Sequence, residues 1–137
     1  MLTTTDLKNL LTDPTLLCDK AFVAGEWIDA DSGETFDVKN PARGDVITSL
    51  PDLGVAEVKH AIDAAESSQK AWAARTGKDR AAVLRKWHDL MIANADDLGM
   101  ILTAEMGKPF AEARGEIVYG ASFIEWFAEE AKRIYGE

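Results

Sequence analysis

The fold is decided by the stretch from Ala21 to Pro51, which reads AFVAGEWIDADSGETFDVKNPARGDVITSLP. Short β-favouring runs flank a glycine turn at Gly25-Glu26, and this arrangement predicts a β-hairpin. Further turn residues, at 31–34 and 40–45, separate two more runs of the same kind. The strands are predicted at residues 21–24, 27–28, 35–38 and 46–50.

From residue 52 onward the pattern is helical, because apolar residues recur three and four positions apart. The stripes consist of Val58, Ala61, Ile62, Ala65 and Trp72, of Leu84, Trp87, Leu90 and Met91, and of Ala113, Ile117, Ala121, Ile124, Ala128 and Ala131. The last helix is expected to run from near Pro109 to about Ile134, facing the helix that carries Leu84. The sequence therefore predicts an α+β fold, with short N-terminal strands and hairpins followed by three to four helices.

Polar residues and glycine mark the ends of these helices. Thr76 is predicted as an N-cap, with Asp79 three residues later in the capping-box position. Asn94 and Asp97 repeat that spacing, so we expect the helical region to break or kink there. Gly107 is predicted as a helix C-cap.

Composition and charge exclude several classes of protein. The 137 residues are 47% hydrophobic and 28% charged, which is typical of a folded domain. The densest apolar stretch, residues 121–128, contains Glu125, so we expect no membrane span. The formal charge is −9 and the acidic residues are scattered, which argues against nucleic-acid binding. Residues 1–11 lack the pattern of a signal peptide, and one cysteine fits a reducing compartment, so we expect a cytoplasmic protein.

Few residues could carry chemistry. Cys18 is the single thiol, and its neighbours suggest a surface lead-in rather than an activated nucleophile. His60 is expected to face water and His88 to be partly buried, and neither has a second ligand at zinc-binding spacing. Paired carboxylates such as Glu129-Glu130 are expected to be solvated, and a phosphate-binding glycine loop is absent. We expect three aromatic side chains of the last helix to form a packing surface: Phe123, Trp126 and Phe127.

Longer motifs resemble the aldehyde dehydrogenase superfamily. In chain order they are Phe22-Val23-Ala24-Gly25-Glu26-Trp27, Phe36 to Ala42 with Gly44-Asp45-Val46, Ala61 to Ala65 before Trp72, Arg80 to Lys86, Glu105-Met106-Gly107-Lys108-Pro109, and Glu112 to Ile117. The sequence of residues 121–136 is similar to that of bacterial succinate-semialdehyde dehydrogenases. Enzymes acting on glutarate semialdehyde share much of this sequence.

The resemblance implies the N-terminal part of the α/β aldehyde dehydrogenase fold, without its Rossmann-type core. Residues 1–20 are then a lead-in, and residues 21–137 the N-terminal part of the cofactor-binding domain, with strands at 21–50 and helices at 52–137. The complete enzyme would oxidise succinate semialdehyde or a related semialdehyde to the acid with NADP or NAD, and would form a homo-oligomer. In the family a cysteine thiolate attacks the aldehyde, hydride passes to the nicotinamide, and a water activated by a glutamate releases the acid.

The family's catalytic and cofactor-binding residues match no position of this sequence, and Cys18 does not correspond to the nucleophile. We therefore expect the chain alone to be inactive. The alternative is a non-catalytic helical interaction module derived from the same family. Phe123, Ile124, Trp126 and Phe127 cover more than one side of the last helix, which predicts self-association or an exchange of that helix between chains.

One binding site is carried over from the family. Some members hold a structural alkali-metal ion near the turns that match Asn40-Pro41 and Glu105 to Pro109. The corresponding positions are Val38, Lys39 and Glu105, and backbone carbonyls and a carboxylate suit a hard cation. The alternative is that the two turns simply pack together.

Overall fold

A computed structural model describes residues 4–133. The elements are α1 (Thr4–Lys8), a 3₁₀ turn (Pro14–Leu16), β1 (Ala21–Val23), β2 (Glu26–Ile28), β3 (Thr35–Lys39), β4 (Val46–Pro51), α2 (Val55–Ala74), α3 (Gly77–Ala93), α4 (Ala95–Met106) and α5 (Phe110–Glu130). The predicted α+β order of strands and then helices is confirmed. Within residues 4–133 the sheets are two antiparallel pairs, β1 with β2 and β3 with β4.

The described residues form two compact units. The first comprises residues 4–70 with 104–107, and the second comprises residues 71–103 with 108–133. In the first unit, α1 packs against β4, and the buried residues Leu7, Leu11, Leu17, Val23 and Ile47 lie there. Residues 1–20 thus supply three leucines to this core. Their assignment as the lead-in of a larger domain stays a prediction.

The first hairpin forms where the sequence places it. Ala21 pairs with Ile28 and Val23 with Glu26. The turn residues are Ala24 and Gly25, with φ of 53° and 92°, so the turn lies one residue earlier than predicted. Two positive φ values match the right-handed twist of the strands.

The buried carboxylate of Glu57, near the start of α2, fixes a loop of the first unit. Its Oε1 accepts a hydrogen bond from the backbone N–H of Asp31 at 2.9 Å. This bond holds the pKa of Glu57 below its ordinary value. The charge is thereby stabilised at a site that is almost closed to water.

In the second unit, α3 packs against α5. The buried residues of α5 are Ala113, Ala121 and Ala128, all essentially fully enclosed. The predicted apolar stripe of the last helix is confirmed at these three positions, whereas its other members, Ile117, Ile124 and Ala131, are half-buried. The helix ends at Glu130, earlier than the expected end near Ile134, and Ile134 lies outside the described residues.

Several helix ends agree with the predicted caps. The Thr76 hydroxyl accepts a hydrogen bond from the backbone N–H of Asp79 at 3.1 Å. Asn94 separates α3 from α4, and its side-chain amide donates to the Leu90 carbonyl at 2.8 Å. Gly107 follows α4 with a φ of +80°.

Four apolar residues of the predicted helical stripes are exposed, so the prediction that they are buried is wrong. They are Val58, Ile62, Trp87 and Leu90.

Candidate functional site

The single thiol is half-buried and follows a buried leucine. Cys18 comes directly after Leu17, which belongs to the core of the first unit. Two residues later, Lys20 Nζ lies 2.6 Å from Asp29 Oδ2, and this hydrogen bond raises the pKa of Lys20. Lys20 is therefore ion-paired with the Asp29 carboxylate. The inertness of Cys18 stays a prediction.

The two histidines occupy the environments expected of them. His60 is exposed on α2, and the His88 side chain is 17% exposed on α3. His88 Nδ1 lies 2.9 Å from Asp89 Oδ1, and its Nε2 lies 4.0 Å from Glu125 Oε2. Among residues 4–133 no three His, Cys, Asp or Glu side chains cluster closely enough to hold a metal.

The predicted cation residues Val38 and Lys39 lie at an irregular point of the second strand pair. The register of β3 against β4 shifts between them, as at a β-bulge. A bulge leaves part of the ladder unpaired, which can free a backbone carbonyl for another ligand. The turn that follows is closed by a hydrogen bond from the Asn40 N–H to the Asp45 carbonyl at 2.8 Å.

This turn lies against the turn that follows α4. A Cβ added to Gly107 would come within 3.0 Å of the Pro41 Cγ atom, so the two loops are in close contact. The structure thus brings together the two turns named by the sequence. Glu105 precedes this contact and is exposed as a residue, yet desolvation of its carboxyl group raises its pKa.

In the second unit a groove runs along one side of α5. Arg85 of α3 holds one edge, with Nη1 2.6 Å from Glu125 Oε1 and Nη2 2.8 Å from Glu129 Oε1. The two carboxylates hold the pKa of Arg85 above its ordinary range. Hydrogen bonds from Lys132 and then Arg85 lower the pKa of Glu129. All of these side chains are partly exposed, so each pair contributes little to stability.

Exposed aromatic side chains line the same groove. Phe123, Trp126 and Phe127 lie beside the Arg85 pairs, together with Arg133. The sequence predicts them as a packing surface, and the structure leaves all three rings open to solvent. Rings flanked by paired charges can bind another surface, but they offer no nucleophile or general base.

Two side-chain arrangements of the structure were not predicted from the sequence. The Arg85 bridge joins residues 40 and 44 positions apart. The one available signal is the four-residue spacing of Glu125 and Glu129, which places both on one helix face. Glu57 was also missed, because its partner lies 26 residues away and nothing in the local pattern marks it.

Comparison with known proteins relates this arrangement to one family. Residues 27–137 match the profile described as "Aldehyde dehydrogenase family". Over 127 residues the chain is 57% identical to the glutarate-semialdehyde dehydrogenase of Pseudomonas putida, and 54% identical to the NADP(+) succinate-semialdehyde dehydrogenase of Escherichia coli. Each match covers 93% of this chain and 26% of the relative.

Solved structures agree with these sequence matches. The aldehyde dehydrogenase of Brucella melitensis biovar abortus superposes with a TM-score of 0.91 at 60% identity, over 93% of this chain and 26% of that one. The succinate-semialdehyde dehydrogenase of Burkholderia pseudomallei gives the same TM-score and coverage at 54% identity. The chain thus spans about a quarter of the length of the proteins it matches. Among residues 4–133, the helices are all too short or too polar to cross a bilayer.

Proposed function

We propose that this chain, which belongs to the aldehyde dehydrogenase family, is the N-terminal part of an enzyme that oxidises a semialdehyde with NAD or NADP. The resemblance seen in the sequence motifs is confirmed by the family match. The observation that carries the proposal is the 57% and 54% identity to glutarate- and succinate-semialdehyde dehydrogenases over nearly the whole chain. Because the chain spans 26% of these relatives, the activity belongs to the complete enzyme.

The relatives also suggest a substrate class. Their names describe glutarate semialdehyde, succinate semialdehyde and, at 53% identity, 3-sulfolactaldehyde. Each of these compounds has an aldehyde at one end and an anionic carboxylate or sulfonate at the other. We therefore propose a short aldehyde with a remote anionic group as the substrate of the complete enzyme. Either nicotinamide cofactor is compatible with the proposal.

The role of this chain within the enzyme would be structural. Its ordered elements are two strand pairs, α2, and helices that meet through alanines and paired surface charges. Such elements position other parts of a protein, whereas catalysis needs a base within reach of a nucleophile. We expect the catalytic cysteine, the glutamate and the dinucleotide-binding residues of the family to lie outside this sequence.

A chimera tests the proposal. This chain would replace the matching 127 residues of the Pseudomonas putida enzyme, and the product would be assayed with glutarate and succinate semialdehydes. We expect a soluble enzyme that reduces NAD or NADP, with pentanal, a neutral aldehyde, as the poorer control substrate. A chimera with Gly99→Val should be less stable to heat than the unmodified chimera, because a Cβ at Gly99 would lie 3.1 Å from the Arg114 backbone. A soluble chimera without turnover would contradict the proposal.

The chain by itself should be inactive. Purified protein mixed with succinate semialdehyde and NAD or NADP should give no more reduced nicotinamide than a blank. Steady turnover that disappears in Cys18→Ser would show that this thiol is a nucleophile. That result would overturn the structural role assigned here.

The cation site is part of the proposal. Val38 and Lys39 would offer backbone carbonyls at the bulge and Glu105 a carboxylate, all of them oxygen donors that suit an alkali-metal ion. The contact between Gly107 and Pro41 supports the fit, because it keeps the two contributing turns together. We expect a higher thermal midpoint in potassium or sodium chloride than in tetramethylammonium chloride at equal ionic strength. Glu105→Gln should reduce that difference, and an equal response in both proteins would argue for simple packing of the turns.

The exposed rings of α5 favour a second candidate, a non-catalytic helical interaction module. Such a module would bind its partner without contributing to turnover. It would gain support if the chimera were folded but inactive while the isolated chain bound another protein.

A further inference from the structure

We draw no further inference here: the strongest candidate, the groove along α5 lined by Phe123, Trp126 and Phe127, is an unpartnered apolar face, and nothing in the structure shows what covers it.

Discussion

Replacing Leu7 with alanine tests whether the first residues belong to the core of the first unit. Leu7 is 0% exposed on α1, which packs against β4, and the Thr4 hydroxyl donates to the Ile47 carbonyl beside it. The substitution removes three carbon atoms, and at about 0.8 kcal/mol per methylene the transfer free energy lost is about 2.4 kcal/mol. A residual cavity raises the cost of such changes to about 2–5 kcal/mol. Because α1 is a short helix that can settle into the space, we expect about 2–3 kcal/mol.

The matched control is Leu10→Ala, since Leu10 lies three residues further along and is 58% exposed. Its free energy of unfolding should change by less than about 0.5 kcal/mol. Urea denaturation followed by circular dichroism measures both values, and hydrogen exchange of the β4 amides localises the effect. Equal losses in Leu7→Ala and Leu10→Ala would refute the docking of α1 against β4.

Three further predictions concern single contacts. Gly99→Val should lower the free energy of unfolding by about 1–3 kcal/mol, because a Cβ at this position would lie 3.1 Å from the Arg114 backbone. Thermal denaturation measures the loss, and an unchanged midpoint would contradict the close approach. Thr76→Ala should cost about 1 kcal/mol through loss of the N-cap, measured by urea denaturation, with Thr76→Ser as the control that keeps the bond. Glu57 has a folded pKa below its ordinary 4.5, so its stabilising contribution is complete above that value and is lost as pH falls through the folded pKa. Glu57→Gln should flatten this acid limb in pH-dependent unfolding, and an unchanged limb would exclude the bond to Asp31 as its cause.

The features that the sequence predicts well are governed by neighbouring residues. The glycine turn of the first hairpin, the Thr76 cap and the glycine after α4 each depend on local backbone conformation and on partners a few residues away. Pro109 lies one position from its predicted place, at the N-cap rather than in the first turn of α5. Such differences of one residue are expected wherever a cap and a first turn compete.

Burial was predicted less well, because periodicity marks an apolar face without naming its partner. Trp87, Leu90 and Ile62 fit their helical stripes and are nonetheless exposed. An amphipathic pattern is buried only where a complementary surface exists, and this chain spans about a quarter of the length of its relatives. Long-range partners are equally invisible, as the bond between Glu57 and Asp31 shows.

The candidate site followed the same division. The sequence motifs named both turns that meet at Gly107 and Pro41, because each turn has its own local pattern. The bridge from Arg85 to Glu125 and Glu129 could not be foreseen, since it depends on how α3 crosses α5. Side chains that act across two helices become visible only when the helices are placed.

The alanines between α3 and α5 limit how this segment can change during evolution. Ala81 of α3 shares a groove with Ala128 of α5, and Ala113 and Ala121 are fully enclosed. Every residue larger than alanine adds atoms where backbones lie close, and glycine lowers helix stability by about 1 kcal/mol. Almost every substitution at such a position is therefore destabilising. On the opposite side of α5, substitutions are limited only by the surface that this side contacts. Within one helix, the buried side should therefore vary little among related sequences, because the fold constrains it. The exposed side should vary more, because only its binding partner constrains it.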